Sequence, residues 1–332
     1  MRIIFHVGMG KTGTSSVQHA LATSTERLAA QKVAYLGMWF DAIDPGFRGY
    51  EGQERFFTSD AATMESHAEQ FYDRLAARSA AEGIETFVLS NEAIYGNVHN
   101  FTPFLRRLQA KPDVALQIVA YIRNPYAWLP SAYAQWGIRH KQQPGSIQPY
   151  GQRARDLLGI YSGFRAWAEN FGDCLAVRRH DKGIDVLADF AETTGLALES
   201  MGKRQLERAE PAETLLRALF NNRFEEPVLP ERFERVVVDT SLCPVPSLHD
   251  MTEFCFRHDE TAEIIDEQRP LFEFIRDRLG IDYLSETPAP APPPDEAEIQ
   301  RRMIDYLVEI TLNQAQRLKR LERQIKDLRD AQ

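Results

Sequence analysis

A short apolar run, Ile3-Ile4-Phe5 with Val7, breaks into the turn Gly8-Met9-Gly10-Lys11-Thr12-Gly13-Thr14-Ser15-Ser16, after which Val17, Ala20, Leu21 and Leu28 recur at helical spacing. A β-branched and aromatic run followed by glycines and then by a helical period predicts a strand, a tight turn and a helix. That succession confines the chain to folds in which a strand ends beneath a helix N-terminus, with Gly8, Gly10 and Gly13 permitting the tight backbone. The first N–H groups of a helix have no intrahelical acceptor and the dipole turns its positive end outward, so phosphate or sulfate is favoured there. Lys11 adds a full charge, and Thr12, Thr14, Ser15 and Ser16 add hydroxyl donors. The ligand this predicts is a nucleotide.

Spacing within the turn separates nucleotide classes. The P-loop of ATPases and GTPases needs a glycine five residues before its Gly-Lys-Ser/Thr triplet, but Phe5 holds that position before Gly10, so the Walker pattern fails. Residues 8–13 do fit the bare dinucleotide string G-x-G-x-x-G. However, the next apolar run, Val33-Ala34-Tyr35-Leu36, leads into Gly37 without the acidic residue that would hold a ribose.

Val114 to Ile122 is near-continuously apolar, as parallel strands covered on both faces tend to be. It ends in Arg123-Asn124-Pro125. The proline suits a first helical turn and leaves the arginine at a strand's carboxyl end, the edge where open α/β sheets bind ligands. An arginine so placed can grip an anion through two parallel N–H groups. A third run, Thr86-Phe87-Val88-Leu89, continues through Ser90-Asn91 to Glu92 and brings a carboxylate to the same kind of edge. Desolvation raises such a carboxyl toward the working pH of a general base. Plainer alternatives stand beside these readings: Lys11 as a solvated loop residue, Arg123 as an ion pair tying a helix start to the sheet, Ser131 as a helix-face hydroxyl, Glu92 as a cap for the next helix or the partner of an arginine. His6, mid-strand, reads as a core-edge residue making a hydrogen bond, and His99, His140 and His180 take no assignment.

Lys11-Thr12-Gly13-Thr14-Ser15-Ser16 resembles the 5′-phosphosulfate loop of sulfotransferases that use 3′-phosphoadenosine 5′-phosphosulfate, PAPS, in which a strand ends in a Lys-Thr-Gly-Thr-Thr/Ser turn. Gly10 stands where that family often has proline, which loosens the turn without removing an anion donor. The family also carries a strand followed by Arg-Asn/Asp-Pro and a serine eight residues after the arginine, a separation that Arg123 and Ser131 keep. The resemblance implies that residues 10–16 (Gly10, Lys11, Thr12, Gly13, Thr14, Ser15, Ser16) hold the 5′-phosphosulfate and that Arg123 and Ser131 hold the 3′-phosphate. Bacterial and carbohydrate members often have Ser-x-Glu after a strand, with glutamate as base in several, so Glu92 is the implied base beside Lys11 as catalytic residue. No metal is implied.

The chain has 332 residues, of which 43% are hydrophobic and 26% charged, ample for one large α/β core with an appendage. A net charge of −9 argues against nucleic acid or an anionic membrane as partner and requires positive potential to be focused at Lys11 and Arg123. Cys174, Cys243 and Cys255 are too few and scattered for a zinc site or a disulfide framework. A strand beginning at residue 3 leaves no room for a signal peptide, and no segment approaches about 18 uninterrupted apolar residues, so a cytoplasmic protein is expected. Golgi carbohydrate sulfotransferases carry a membrane anchor, so the resemblance points to the soluble bacterial-type branch.

Residues 41–62 mix Gly, Pro, Asp and aromatics and read as a loop covering the site; residues 64–80 read as a helix. Residues 134–153 read as a second long loop, in which Trp136, Arg139, His140, Lys141 and Tyr150 either contact a glycan or form a solvated excursion. A helix around 157–171, a strand at 175–178 and a helix with Val186, Leu187 and Phe190 follow, resembling the family's late strand-turn-helix; 201–285 shows helices but no motif. Residues 287–294 form a Pro-rich spacer. Beyond it, Ile304, Leu307, Thr311, Gln314, Leu318, Leu321, Ile325 and Leu328 alternate three and four apart, a heptad seam with two polar members.

The expected architecture is therefore a P-loop-like three-layer α/β sandwich with a mostly parallel sheet over 1–286, the linker, and a coiled-coil helix over 295–332 that makes a homo-oligomer. The expected reaction moves a sulfuryl group from PAPS to a hydroxyl acceptor on a carbohydrate or glycolipid. The alternatives are a small-molecule kinase with a degenerate phosphate loop and an inactive nucleotide-binding scaffold.

Overall fold

The computed structural model describes residues 1–199, 211–235, 248–285, 292 and 294–330. Chain contacts divide it into two compact units, Met1–Trp128 with Leu158–Gln205 and Ile265–Thr287, and Leu129–Leu157 with Leu206–Ile264 and Pro288–Gln332. Most of the Pro-rich spacer and Cys243 lie outside the described residues.

The first unit is built on five parallel strands, β1 (Arg2–His6), β2 (Val33–Tyr35), β3 (Thr86–Ser90), β4 (Ala115–Ile122) and β5 (Leu175–Arg179), in the order β2-β3-β1-β4-β5. Side chains alternate across a strand. Ile4 therefore packs with Val17, Leu21, Val88, Val119, Tyr121 and Phe190 on one face, while Phe5 meets Phe71, Phe101 and Phe104 on the other. Helices Thr14–Thr23 and Val186–Thr194 cover the first face, and Ala61–Glu82 with Val98–Gln109 covers the second. This is the three-layer α/β class expected from the sequence. The helical period after the turn is interrupted at Ser24, so Leu28 belongs to a separate short helix, Thr25–Ala30.

Two expected loops are ordered instead. Within 41–62, Pro45–Phe47 forms a 3-10 turn and Gly49–Phe57 an α-helix. That helix escaped the sequence because its buried face consists of Gly52, Phe56 and Phe57, with no longer apolar period. Within 134–153, Tyr133–Arg139 forms a π-helical turn and the helix Tyr150–Leu158 begins, both largely in the second unit. Lys141 is fully buried there, its ammonium bonded to the carbonyls of Asn221 and Phe224, and Tyr150 is buried with its hydroxyl on Thr261 Oγ1 at 2.7 Å. Neither can contact a glycan. Within 201–285, where the sequence shows helices, Thr261–Asp266 and Arg269–Leu279 form two separate ones. The C-terminal helix Glu296–Asp330 is present; Ile299 near its start is buried, and this end packs on Pro211–Asn221 within the second unit. Among the described residues no helix is long and apolar enough to cross a membrane.

Candidate functional site

Because all five strands point the same way, their carboxyl ends deliver five segments to one edge. In spatial order these are residues 36–40 after β2, Ser90 to Glu92 after β3, the turn 8–13 after β1, Arg123 after β4 and His180 after β5. The chain fills one side of β1 with β2 and β3 and then crosses to β4 and β5, so the order reverses between β1 and β4. That reversal is where open α/β sheets bind their ligands. The glycine-lysine turn and Arg123 flank it.

Side chains fix the turn from beneath. The carbonyl of Met9 accepts from Thr12 Oγ1, that of Gly10 from Trp128 Nε1 at 2.8 Å and that of Lys11 from Arg123 Nη1 at 3.2 Å. Three consecutive carbonyls, those of Met9, Gly10 and Lys11, are thereby engaged by side-chain donors, which fixes the turn before any ligand arrives. Gly13, at φ 83°, caps the helix Thr14–Thr23 in the left-handed region that favours glycine. Lys11 adopts φ 69° and its side chain is exposed. Thr12 and Thr14 are buried, whereas Ser15 is exposed. With its proton on the Met9 carbonyl, Thr12 serves the turn's shape, and Thr14, Ser15 and Ser16 remain as hydroxyls facing the helix start.

Two buried polar atoms under this turn have no hydrogen-bond partner among the described residues, Thr14 Oγ1 and His6 Nε2. Both border Gly8, where a Cβ would stand 2.6 Å from the first and 3.3 Å from the second. The other nitrogen of His6 lies 2.8 Å from Ser90 Oγ, and burial pushes the imidazole down to about 3, so it is neutral at physiological pH. His6 is thus the hydrogen-bonded core residue expected. An orphaned hydroxyl at a helix N-terminus, beside a lysine and an arginine, fits an oxyanion of the phosphosulfate kind.

Glu92 follows β3 and occupies the N-cap position of the short helix Ala93–Gly96 without a side-chain cap bond; Asn91 Oδ1 takes the Ala93 N–H at 2.8 Å instead. The capping alternative therefore falls away. The surrounding protein raises the Glu92 carboxyl above its ordinary value and the positive charge of Lys11 opposes that rise. The residue is nonetheless exposed, so solvent screens the carboxyl and moderates the rise.

Arg123 is half-buried and its own carbonyl accepts from Tyr161 Oη. Asn124 starts the next helix, its Oδ1 accepting from Tyr126 N at 3.0 Å. Ser131 lies half-buried on that helix, Pro125–Ala132, but in the second unit. Its expected share in holding an anion rests on sequence spacing alone.

Two residues entered this site without a sequence assignment. Trp128, fully buried, holds the Gly10 carbonyl; an aromatic in a helix gave no signal of that duty. His180 extends the β4–β5 ladder by donating its N–H to Ile122 O at 2.7 Å, and its Nε2 would stand 2.9 Å from a Cβ on Gly13. Burial lowers its pKa, and the charge of Arg123 lowers it further against the opposing pull of Asp181. The sequence showed a His-Asp pair after a strand, but only the strand order reveals that this strand adjoins the one ending in Arg123.

No protein-family profile and no curated protein matches the chain. Solved structures similar to it include the sulfotransferase domain from the Synechococcus PCC 7002 olefin synthase, at 11% identity over 77% of this chain and 93% of that one with a TM-score of 0.33. Another is the sulfotransferase domain from the curacin biosynthetic pathway, at 10% identity over 76% and 96% with a TM-score of 0.29.

Proposed function

We propose that this chain moves a sulfuryl group from PAPS to a hydroxyl acceptor on a carbohydrate or glycolipid. The observation that carries the reading is the bond from Arg123 Nη1 to the carbonyl of Lys11, which sets a guanidinium beside the glycine-lysine turn at the sheet's switch point. The sequence motifs, which fail the Walker spacing and keep the phosphosulfate pattern, support it.

In this reading residues 10–16 receive the 5′-phosphosulfate and Arg123 the 3′-phosphate. PAPS supplies the activated sulfuryl group. Lys11 and the fixed amides of the turn stabilise the charge that gathers on the phosphate oxygen as its bond to sulfur breaks. Glu92 receives the acceptor's hydroxyl proton as the new oxygen–sulfur bond forms in line. Lys11 and Arg123 supply the positive charge locally on a chain whose net charge is −9.

We also propose that the exposed seam Ile304, Leu307, Leu318, Leu321 and Ile325 pairs with a second copy. Its three-and-four spacing matches a left-handed two-helix contact. In a parallel pair, Arg317 of one helix stands opposite Glu322 of the other at the positions flanking the seam.

The test of the chemistry is release of 3′,5′-bisphosphoadenosine from PAPS in the presence of a mixed glycan and glycolipid extract. Wild-type protein is expected to turn over, and Glu92→Gln to lose on the order of 10²–10⁴-fold in rate while binding the nucleotide unchanged. Full activity in Glu92→Gln would remove the base from this position. Phosphate transfer from ATP with Mg²⁺ to the same extract, without PAPS turnover, would establish a kinase instead.

A further inference from the structure

We infer that the segment running from β2 into the helix Gly49–Phe57 is the acceptor wall of this site, and that Trp39 and Tyr50 form the surface on which the ring of a pyranoside lies. The inference rests on the sulfuryl-transfer reading above and assigns the acceptor's place within it.

The strand order divides the carboxyl edge at β1. Arg123 and His180 stand on the β4–β5 side, where the nucleotide is gripped. Glu92 stands on the β3 side, and next along the sheet edge come the residues leaving β2. With a nucleotide at the switch point, the β2 side, across residues 37–53, is the side of Glu92 that the sheet leaves to an acceptor.

That segment is held rigidly. Asn91, immediately before Glu92, is buried, and its Nδ2 donates to Met38 O and to Gln53 Oε1, each at 2.6 Å. One amide thus ties the residue before Trp39, the helix bearing Tyr50 and the residue before the base into a single cluster. Phe40 is fully buried and stacked on Phe56 at 4.0 Å, which anchors the backbone beside Trp39. Gly52 lies so close to the Pro45–Phe47 turn that a Cβ would stand 2.4 Å from Gly46 O, so the helix cannot shift outward without losing that packing.

Trp39 is half-buried and meets Tyr50 edge to face, with centroids 5.5 Å apart at 85°, and Tyr50 is 80% exposed. Polar side chains stand at neighbouring positions of the same segment: Asp41, paired with Arg48 at 3.6 Å, and Gln53, whose Oε1 accepts from Asn91 Nδ2. An indole face with a second aromatic ring standing at right angles beside it, on a segment that also carries polar side chains, suits a molecule with C–H bonds on one face and hydroxyls at its rim. That describes a sugar ring.

Saturation-transfer NMR on the full-length chain loaded with 3′,5′-bisphosphoadenosine tests this. The probes are the methyl β-pyranosides of glucose, galactose and N-acetylglucosamine, with 4-nitrophenol and 1-octanol as non-sugar probes. At least one pyranoside is expected to receive saturation at its ring C–H protons. Trp39→Ala should weaken that pyranoside about tenfold, the upper end of what an aromatic face contributes. Tyr50→Ala, at an exposed position that the fold does not need, should weaken it less, and Trp39→Phe should restore most of the affinity. Bisphosphoadenosine affinity should stay within about twofold in all three. The inference is overturned if no pyranoside binds, if only 4-nitrophenol or 1-octanol does, or if Trp39→Ala and Tyr50→Ala leave pyranoside binding unchanged. A wild-type chain that fails to bind bisphosphoadenosine at all would instead overturn the sulfuryl-transfer reading, and this inference with it.

Discussion

Lys11 and Glu92 approach the same edge from neighbouring strands, and the lysine's charge bears on the carboxyl. Desolvation lifts the Glu92 carboxyl above its ordinary 4.5, and the Lys11 charge holds the rise in check. A carboxyl with a raised pKa is in its base form only above that raised value, so activity that depends on it is lost as pH falls through it. Removing the lysine charge removes the opposing pull. Lys11→Met is therefore expected to move the Glu92 titration to higher pH, seen in the carboxyl carbon resonance of glutamate-labelled protein; an unmoved or downward titration would show that the two groups do not sense each other. Both residues were legible in the sequence because each follows directly on an apolar run that names its strand. His180 and Trp128 were not, since their roles are contacts with the turn made across strands far apart in the chain.

At the scale of elements, the helix Thr14–Thr23 carries the site because its first turn meets a chain reversal in the left-handed region. Gly13 sits at φ 83°, and a Cβ there would stand 2.9 Å from His180 Nε2 and 3.0 Å from Val186 Cγ1. Gly13→Ala is expected to cost about 1–3 kcal/mol in urea unfolding, from backbone strain and the displaced imidazole, and to weaken nucleotide binding in parallel. Loss of stability with nucleotide affinity intact would detach the turn's shape from its function. The strands β1, β3 and β4 were readable because most of their residues are buried and run nearly unbroken in apolar side chains. The helix Gly49–Phe57 was not, because its contact surface includes Gly52, whose packing value lies in having no side chain. The π-helical turn Tyr133–Arg139 has no distinctive period to betray it.

At the scale of the whole chain, the motifs named what the edge contains, and strand order, which no local pattern encodes, arranged it. The C-terminal helix divides along its length: Ile299 is buried within the second unit, whereas Ile304, Leu307, Leu318, Leu321 and Ile325 are exposed. Leu321→Asp, or truncation after Gln314 that spares the packed end, should reduce the full-length oligomer to a smaller species in light scattering, because a charge in an apolar seam must be desolvated. A wild-type monomer at micromolar concentration would refute the pairing. The central claim, that this edge recognises a nucleotide by its 3′-phosphate, is tested most directly by calorimetry of 3′,5′-bisphosphoadenosine against AMP with divalent metal chelated. The bisphosphate is expected to bind at least about tenfold more tightly, and Arg123→Ala to erase most of that difference, since a charge-assisted contact is worth roughly 1.5–3 kcal/mol. Equal affinity for the two nucleotides in the wild-type chain would contradict the account.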